Sequence, residues 1–190
     1  MLNFLIQFLK SPRSIGAIAP SGKFLARKMM EPIRFDNAKG IVEFGPGTGS
    51  FTREIVRQKS RDSVLILIEN NRFFCQQLKE KYKNCQGVYV IYGNAENVNE
   101  YLKKYGFDTA DYIISGLPFT SLPVKVSENI LTSTQKAIGK NGQFITFQYS
   151  LAKKKFFKCY FNITECLFEL RNLPPAYVLV MKSSLDKEGI

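Results

Sequence analysis

The chain has 190 residues, with 27 Lys and Arg against 16 Asp and Glu, which gives a formal net charge of +11 at pH 7. A hydrophobic fraction of 45% excludes wholesale disorder, and the absence of histidine excludes His-containing catalytic triads and the commonest zinc ligand. The basic balance favours an anionic partner, either nucleic acid, anionic lipid or a phosphorylated small molecule, and a basic but unoccupied surface is the equal alternative.

The first ten residues predict an amphipathic helix with one narrow polar stripe. Asn3, Gln7 and Lys10 are spaced i, i+4 and i+7, and apolar side chains cover the rest of the girth. Six basic residues lie between positions 10 and 34, with Glu31 as the one acid among them. An apolar helix beside basic residues is typical of helices that lie on anionic lipid, so we expect contact with an anionic membrane surface. Packing against the domain or a dimer partner is the alternative.

From residue 40 onward, strand and helix patterns alternate, after a short helix predicted at 21–30. Strands are predicted at 40–44, 64–68, 87–92, 111–115 and 143–148, and helices at 50–59, 71–82, 96–104 and 124–138, the last ended by Gly139–Gly142. Two further strands, at 160–170 and 176–181, have no helix between them and predict an antiparallel edge. The pattern predicts an α/β, Rossmann-like sheet of seven mostly parallel strands flanked by helices. We predict one domain, with residues 1–39 as a helical extension of the part formed by residues 40–190.

Three glycines at alternate positions, Gly45, Gly47 and Gly49, follow the first strand and precede a helix. Glycine lets the backbone turn sharply and leaves space for a ligand against the main chain. With Glu43, the segment resembles the E-x-G-x-G-x-G motif of class I S-adenosylmethionine (SAM) methyltransferases. That resemblance implies that Glu43, Phe44 and the glycines bind SAM, with Glu43 attracting its cationic methionyl end. A purely structural turn is the alternative.

Two further candidate cofactor segments follow the second and third strands. Glu69 ends the second strand 20 residues after Gly49, where an acidic residue accepts hydrogen bonds from ribose hydroxyls, and Asn70 follows it. Asn94 and Ala95 follow the third strand. In many SAM enzymes an Asp at the position of Asn94 accepts from the adenine amino group, which an amide oxygen can also do. A turn residue is the equal alternative for Asn94.

The fourth strand ends in Ser115-Gly116-Leu117-Pro118-Phe119. This segment resembles the Asn/Asp-Pro-Pro-Tyr/Phe and Asn-Leu-Pro-Tyr/Phe motifs of amino-methylating enzymes. The resemblance implies that Ser115, the carbonyls of Gly116 and Leu117, and the ring of Phe119 hold the target nitrogen, with Ser115 also beside SAM. Serine is a shorter acceptor than the Asn or Asp of those motifs, and ordinary turn chemistry is the alternative.

Over most of its length the chain resembles the soluble bacterial phospholipid N-methyltransferases, which methylate phosphatidylethanolamine and are related to rRNA adenine dimethyltransferases. The resemblance rests on these segments, besides the glycine loop and the Ser115 segment: Phe8–Pro12, Ile15–Ser21, Phe147–Tyr149 and Arg171–Ala176. It implies SAM as cofactor, a phospholipid as substrate and membrane contact through the N-terminal helix. The general base is left open between Tyr149, a carboxylate and water. The lysines at 153–155 and 158 either hold lipid phosphate or form a solvated charge run.

Two other functions remain open at this stage. The first is an RNA adenine N6-methyltransferase, for which RNA would be the partner, and the second is a SAM- or membrane-binding protein without catalysis. The cysteines form no C-x-x-C pair, so we expect free thiols and no metal. No run reaches the roughly 20 apolar residues of a membrane span. We therefore expect a cytoplasmic protein, peripherally associated with the inner face of the membrane.

Overall fold

The computed structural model describes residues 21–184 of the chain. The predicted N-terminal amphipathic helix lies outside these residues, as do the motif segments before Ser21. The strands are β1 Gly40–Phe44, β2 Val64–Glu69, β3 Val88–Tyr92, β4 Ala110–Ser115, β5 Ile138–Gln148, β6 Phe161–Glu169 and β7 Ala176–Ser183. The α-helices are α1 Ser21–Met30, α2 Ser50–Gln58, α3 Arg72–Tyr82, α4 Val98–Lys104, α5 Val124–Ala137 and α6 Lys154–Lys158.

The seven strands form one sheet in the order β3-β2-β1-β4-β5-β7-β6. β1 pairs in parallel with β2 and β4, whereas β7 is antiparallel to both β5 and β6. The predicted fold class, a mostly parallel sheet with an antiparallel edge, is confirmed. The chain moves outward from β1 through β2 to β3, then returns to β4 on the other side of β1. Such a reversal opens a crevice at the carboxyl ends of the two central strands, which is where α/β sheets bind their ligands.

Alternate strand residues build two apolar layers, one on each face of the sheet. On β1, Val42 and Phe44 enter the layer covered by α4 and α5, while Ile41 enters the layer covered by α1, α2 and α3. Because both faces are buried, the central strands consist of nearly continuous apolar runs, as β2 does. α1 supplies Leu25 and Met29 to the second layer, so the described part of the predicted extension packs on the sheet.

One local prediction was wrong. The Gly139–Gly142 segment was expected to end the helix α5 in a loop, but Ile138 is already extended and pairs with Ala110, and the segment is an irregular part of β5. In the lysine-rich segment, for which the sequence predicted no element, residues 154–158 form the short helix α6. Phe157 of α6 is fully buried. Because short helices are stabilised mainly by tertiary packing, the burial of this ring accounts for the formation of α6.

Candidate functional site

The glycine loop leaves β1 at the sheet reversal and turns into α2. Gly45, Gly47 and Gly49 all have positive φ, between 54° and 82°, a conformation that other residues adopt at a cost of roughly 1–2 kcal/mol. A Cβ on Gly47 would meet nothing within 4 Å, so this position faces open space. The loop therefore presents bare backbone to a ligand, as a SAM site requires.

Glu43 lies beneath the loop and is completely buried. Its Oε2 accepts a 2.7 Å hydrogen bond from the Thr52 hydroxyl, while Oε1 has no partner among the described residues. Burial raises the pKa of this carboxyl to about 8. A buried carboxylate oxygen without a donor is electrostatically unsatisfied, and a nearby ammonium group would compensate it. The methionyl ammonium of SAM is such a group, so this feature fits the cofactor.

Glu69, predicted to hold the ribose, binds the protein backbone through both oxygens. The Gly47 amide donates to Oε2 at 2.9 Å, and the Asn71 amide donates to Oε1 at 2.8 Å. Asn71 also accepts from two amides as the N-cap of α3. Each carboxylate oxygen has a second lone pair, so Glu69 remains able to accept from ribose hydroxyls while it holds the loop.

A cleft runs along the carboxyl ends of β1 to β4. It is lined by these residues: Gly45, Ile68, Asn70, Gly93, Asn94, Ala95, Glu96, Leu117, Leu122, Val126 and Ile130. Five of the predicted site residues, Gly45, Asn70, Asn94, Ala95 and Leu117, are thus brought together. A second depression, along residues 33–37 and Gln58, does not include the glycine loop.

The Ser115 segment contacts the glycine loop directly. The Gly116 amide donates to the Phe44 carbonyl at 2.9 Å, which extends the β1–β4 pairing into the loops. A Cβ on Gly116 would lie 2.9 Å from the Gly45 carbonyl oxygen, and a Cβ on Gly45 would lie 2.7 Å from Leu117 Cδ2. Gly116 is therefore restricted to glycine by the neighbouring backbone, and Gly45 is restricted by its positive φ, since the Leu117 side chain could move. The predicted cofactor and amine segments lie against each other.

Ser115 itself is fully buried, and its polar atoms serve local structure. Its hydroxyl oxygen accepts from the Leu117 amide at 3.2 Å, and its carbonyl accepts from the Thr146 hydroxyl at 3.3 Å. The Leu117 carbonyl accepts from the Phe119 amide at 3.0 Å in a γ-turn around Pro118. These contacts stabilise the conformation of the segment. They also mean that two predicted acceptors of the target amine, the Ser115 hydroxyl and the Leu117 carbonyl, already accept a hydrogen bond from the protein.

The predicted role of the Phe119 ring beside the target nitrogen does not agree with its position. The ring is fully buried and packs edge-on against Phe144 and Phe157, with centroid distances of 6.3 and 5.3 Å. The γ-turn at Pro118 directs the chain back toward the core, so the ring completes the apolar layer below α5. Phe119 supports the segment from beneath and does not line the cleft.

Tyr149, predicted as a candidate base, follows β5 at the same edge of the sheet and is partly exposed. Burial of its hydroxyl raises the pKa of Tyr149 above its ordinary value, and a hydrogen bond with the Asn172 side chain opposes part of that rise. The phenol is consequently protonated near neutral pH. It can donate a hydrogen bond in this state, and it would have to lose its own proton before it could act as a general base.

Three residues with roles at this edge were not identified from the sequence: Thr52, Thr146 and Asn172. Thr52 occupies the first turn of α2, so its spacing from the glycine loop was the available signal. Thr146 and Asn172 act across strands, and only the pairing of β4, β5 and β7 brings them to their partners.

Within residues 21–184, no group of three His, Cys, Asp or Glu side chains is placed to hold a metal ion. None of the helices described there combines the length and apolar character that a membrane crossing requires.

Comparison with known sequences gives one match along nearly the whole chain. The ornithine lipid N-methyltransferase of Singulisphaera acidiphila is 31% identical over 175 residues, which are 91% of this chain and 91% of that protein. An rRNA adenine N-6-methyltransferase of Lysinibacillus sphaericus is 27% identical over 135 residues, covering 70% of this chain and 50% of that protein. No protein-family model matches the chain.

Solved structures agree with the fold. The PH0226 protein of Pyrococcus horikoshii superposes with a TM-score of 0.68 at 12% identity, covering 90% of this chain and 93% of its own. A TehB-like SAM-dependent methyltransferase of Corynebacterium glutamicum gives a TM-score of 0.61 at 12% identity, covering 96% and 97%. At such identities the likeness establishes the architecture alone.

Proposed function

The chain belongs to the family of the ornithine lipid N-methyltransferase, whose members are class I SAM-dependent methyltransferases, and from this premise we propose that it methylates the amine of a lipid headgroup at a membrane surface. The observation that carries the proposal is the 31% identity with a lipid N-methyltransferase along 91% of both chains. Phosphatidylethanolamine is the headgroup that the sequence motifs favour, and ornithine lipid is the headgroup named for the relative. Both offer a primary amine next to an anionic group, so one site chemistry serves for either.

SAM supplies a sulfonium methyl group, which an amine lone pair takes by in-line displacement as the carbon–sulfur bond breaks and the amine loses one proton. The protein contributes position more than chemistry to such a reaction. The bare backbone at Gly47 and the unpartnered Glu43 oxygen are suited to the methionyl half of the cofactor. Asn70 and Asn94 line the cleft, and Glu69 precedes Asn70 at the end of β2, so we assign the ribose and adenine to these three residues.

The amine is assigned to the Ser115 segment because this segment lies against the glycine loop. Gly116 approaches the Gly45 carbonyl so closely that no side chain fits between the two loops. A substrate nitrogen held at this junction would be near the methyl group, with Leu117 as one wall. We propose that proton removal does not depend on Tyr149, because burial raises the pKa of its phenol.

The second candidate, methylation of RNA adenine, is supported by the 27% identity with the rRNA enzyme and by the net charge. A radiolabel assay separates the two candidates. The protein is incubated with methyl-labelled SAM and, in parallel, phosphatidylethanolamine vesicles, ornithine lipid vesicles and ribosomal RNA. We expect label to extract with lipid, and chromatography to identify the headgroup. Label that stays with RNA would replace the lipid proposal.

A further inference from the structure

Exposed apolar side chains are concentrated at one corner of the described structure. Nine large apolar or aromatic side chains are exposed between residues 21 and 184, and five of them lie in two short segments, 149–151 and 168–173. Leu170 and Leu173 are each 71% exposed, more than any of the other seven. A contiguous group of this kind marks an interaction site, whereas single exposed apolar residues are ordinary.

The two segments form one surface beside the cleft. Gln148, the residue before Tyr149, pairs with Tyr177, and Glu169 pairs with Ala176, so both segments leave the same end of the sheet. Asn172, which lies between the two exposed leucines, is only 3% exposed and donates to the Pro174 carbonyl at 2.7 Å, so the loop is anchored while its leucines point outward. Ring contacts continue from Tyr149 to Phe147 at 5.4 Å and from Phe147 to Phe51, next to the glycine loop, at 5.8 Å.

The chain next to this surface is basic. Residues 152–155, which directly follow Leu151, contain three lysines and no acidic residue. In the other segment Glu169 is buried and bonded through both oxygens to Arg171, at 2.9 and 3.0 Å, so its negative charge is compensated. Exposed apolar side chains next to a lysine-rich segment match an anionic bilayer, where apolar side chains enter the interface and ammonium groups remain among the headgroups.

We propose that residues 149–155 and 168–173, called here the carboxyl rim, dock on an anionic lipid bilayer, with Leu170 and Leu173 entering the apolar interface. The proposal rests on the proposed lipid substrate and adds the surface through which the enzyme reaches it. A lipid headgroup would then pass from the bilayer into the cleft without leaving the interface.

The natural absence of tryptophan permits a direct test. Leu173→Trp introduces a single fluorophore at the rim, and Tyr89→Trp places a matched one on β3, at the far edge of the sheet. Vesicles of phosphatidylethanolamine and phosphatidylglycerol are added to each variant. We expect a blue shift and quenching by brominated lipid for Trp at 173, and neither for Trp at 89. Equal responses at both positions would overturn the proposal. Emission already blue-shifted without vesicles would mean that a second copy or residues 1–20 cover the rim, and would overturn it too.

A double variant, Leu170→Asp with Leu173→Asp, distinguishes docking from catalysis. We expect roughly tenfold or greater weakening of vesicle binding, because two apolar side chains lose their transfer to the interface. Methylation of a water-soluble short-chain phosphatidylethanolamine should be unchanged, since neither residue lines the cleft. Undiminished vesicle binding would overturn the docking surface. Vesicle docking by a protein that methylates no lipid would support the surface and refute the proposed function alone.

Discussion

The backbone amide of Gly47 donates a 2.9 Å hydrogen bond to the carboxylate of Glu69, which joins the loop after β1 to the end of β2. The same carboxylate accepts from the Asn71 amide at the start of α3. One acidic side chain therefore fixes the glycine loop and the helix N-terminus relative to each other. A ligand that binds between the glycine loop and α3 therefore contacts a surface that is already formed before binding.

Gly47→Arg should abolish SAM binding. The Cβ direction at this position faces open space at the cofactor loop, so an arginine side chain would occupy the volume that the ligand needs. Gly106→Arg is the matched control, because Gly106 also has a positive φ and an open Cβ direction but lies in the turn after α4. Calorimetry should detect SAM binding to the Gly106 variant and none to the Gly47 variant. Equal affinity in both variants would disprove the loop assignment.

Glu43→Gln should remove a pH dependence from stability. The pKa of Glu43 lies at about 8 in the folded chain, against an ordinary value of 4.5. The folded state thus prefers the protonated carboxyl, and this advantage is present below pH 4.5 and lost as the pH rises to about 8. Over that range the melting temperature of the wild type should fall relative to that of the variant. Parallel melting curves would contradict the raised pKa.

The same carboxyl should couple SAM affinity to pH. A ligand ammonium near Oε1 favours the ionised carboxylate, so binding at pH 7 should release a proton. Calorimetry of the wild type in buffers of different ionisation enthalpy measures that release. The Glu43→Gln variant should bind more weakly and release no proton from this position. Identical proton release by both proteins would assign the coupling to another group.

Phe119→Leu should reduce stability but not catalysis. The ring belongs to the buried layer with Phe144, so its replacement should cost about 1–2 kcal/mol of unfolding free energy. Phe144→Leu is the control, since Phe144 is equally buried and lies outside the motif. Denaturant unfolding and turnover per folded molecule should agree between the two variants. A turnover loss confined to the Phe119 variant would support the predicted role of the ring beside the target amine.

Tyr149→Phe should leave methylation of a short-chain lipid within about threefold of the wild type. The variant loses one hydrogen bond, worth about 1 kcal/mol, whereas loss of a general base lowers rates by about 10²–10⁴-fold. The pH–rate profile should keep its shape, because the protonated phenol takes no proton at neutral pH. A hundredfold loss together with a changed profile would identify Tyr149 as the base.

Deletion of residues 2–9 should weaken vesicle binding and leave SAM affinity unchanged, because the pattern of these residues predicts a membrane-surface helix remote from the glycine loop in sequence. Flotation with anionic vesicles and calorimetry with SAM measure the two effects. Vesicle binding that survives the deletion in full would reject the helix as an anchor. We assign any vesicle binding that remains after the deletion to the carboxyl rim.

Much of the architecture could be predicted from the sequence, because its determinants are local. β1 occurs at its predicted bounds, Gly40–Phe44, and α1 at Ser21–Met30, since apolar runs, glycines and caps act over a few residues. The class of cofactor was also predicted, because Glu43 at the end of β1 and three glycines at alternate positions after it form one short motif. The assignment of each cofactor residue stays a prediction.

The direction of a side chain after a turn was not predictable. The motif identified Phe119, but the γ-turn at Pro118 decides which way its ring faces. Tyr149 was identified by its place after β5, yet its partner Asn172 lies on a loop that only the antiparallel β7 brings back to that edge. The irregular start of β5 likewise depends on pairing with Ala110, a contact between segments distant in sequence.

The close approach of Gly116 to the Gly45 carbonyl also limits how this enzyme can be altered. Because a side chain at position 116 would collide with the Gly45 carbonyl, and because Gly45 has a positive φ, both positions have to remain glycine whichever amine the pocket accepts. A mutant library intended to change the accepted amine should vary Leu117, Leu122 and Val126 along the cleft wall and keep both glycines. The pocket thus has a cleft wall that can be varied freely and a contact between two glycines that has to be kept for every new substrate.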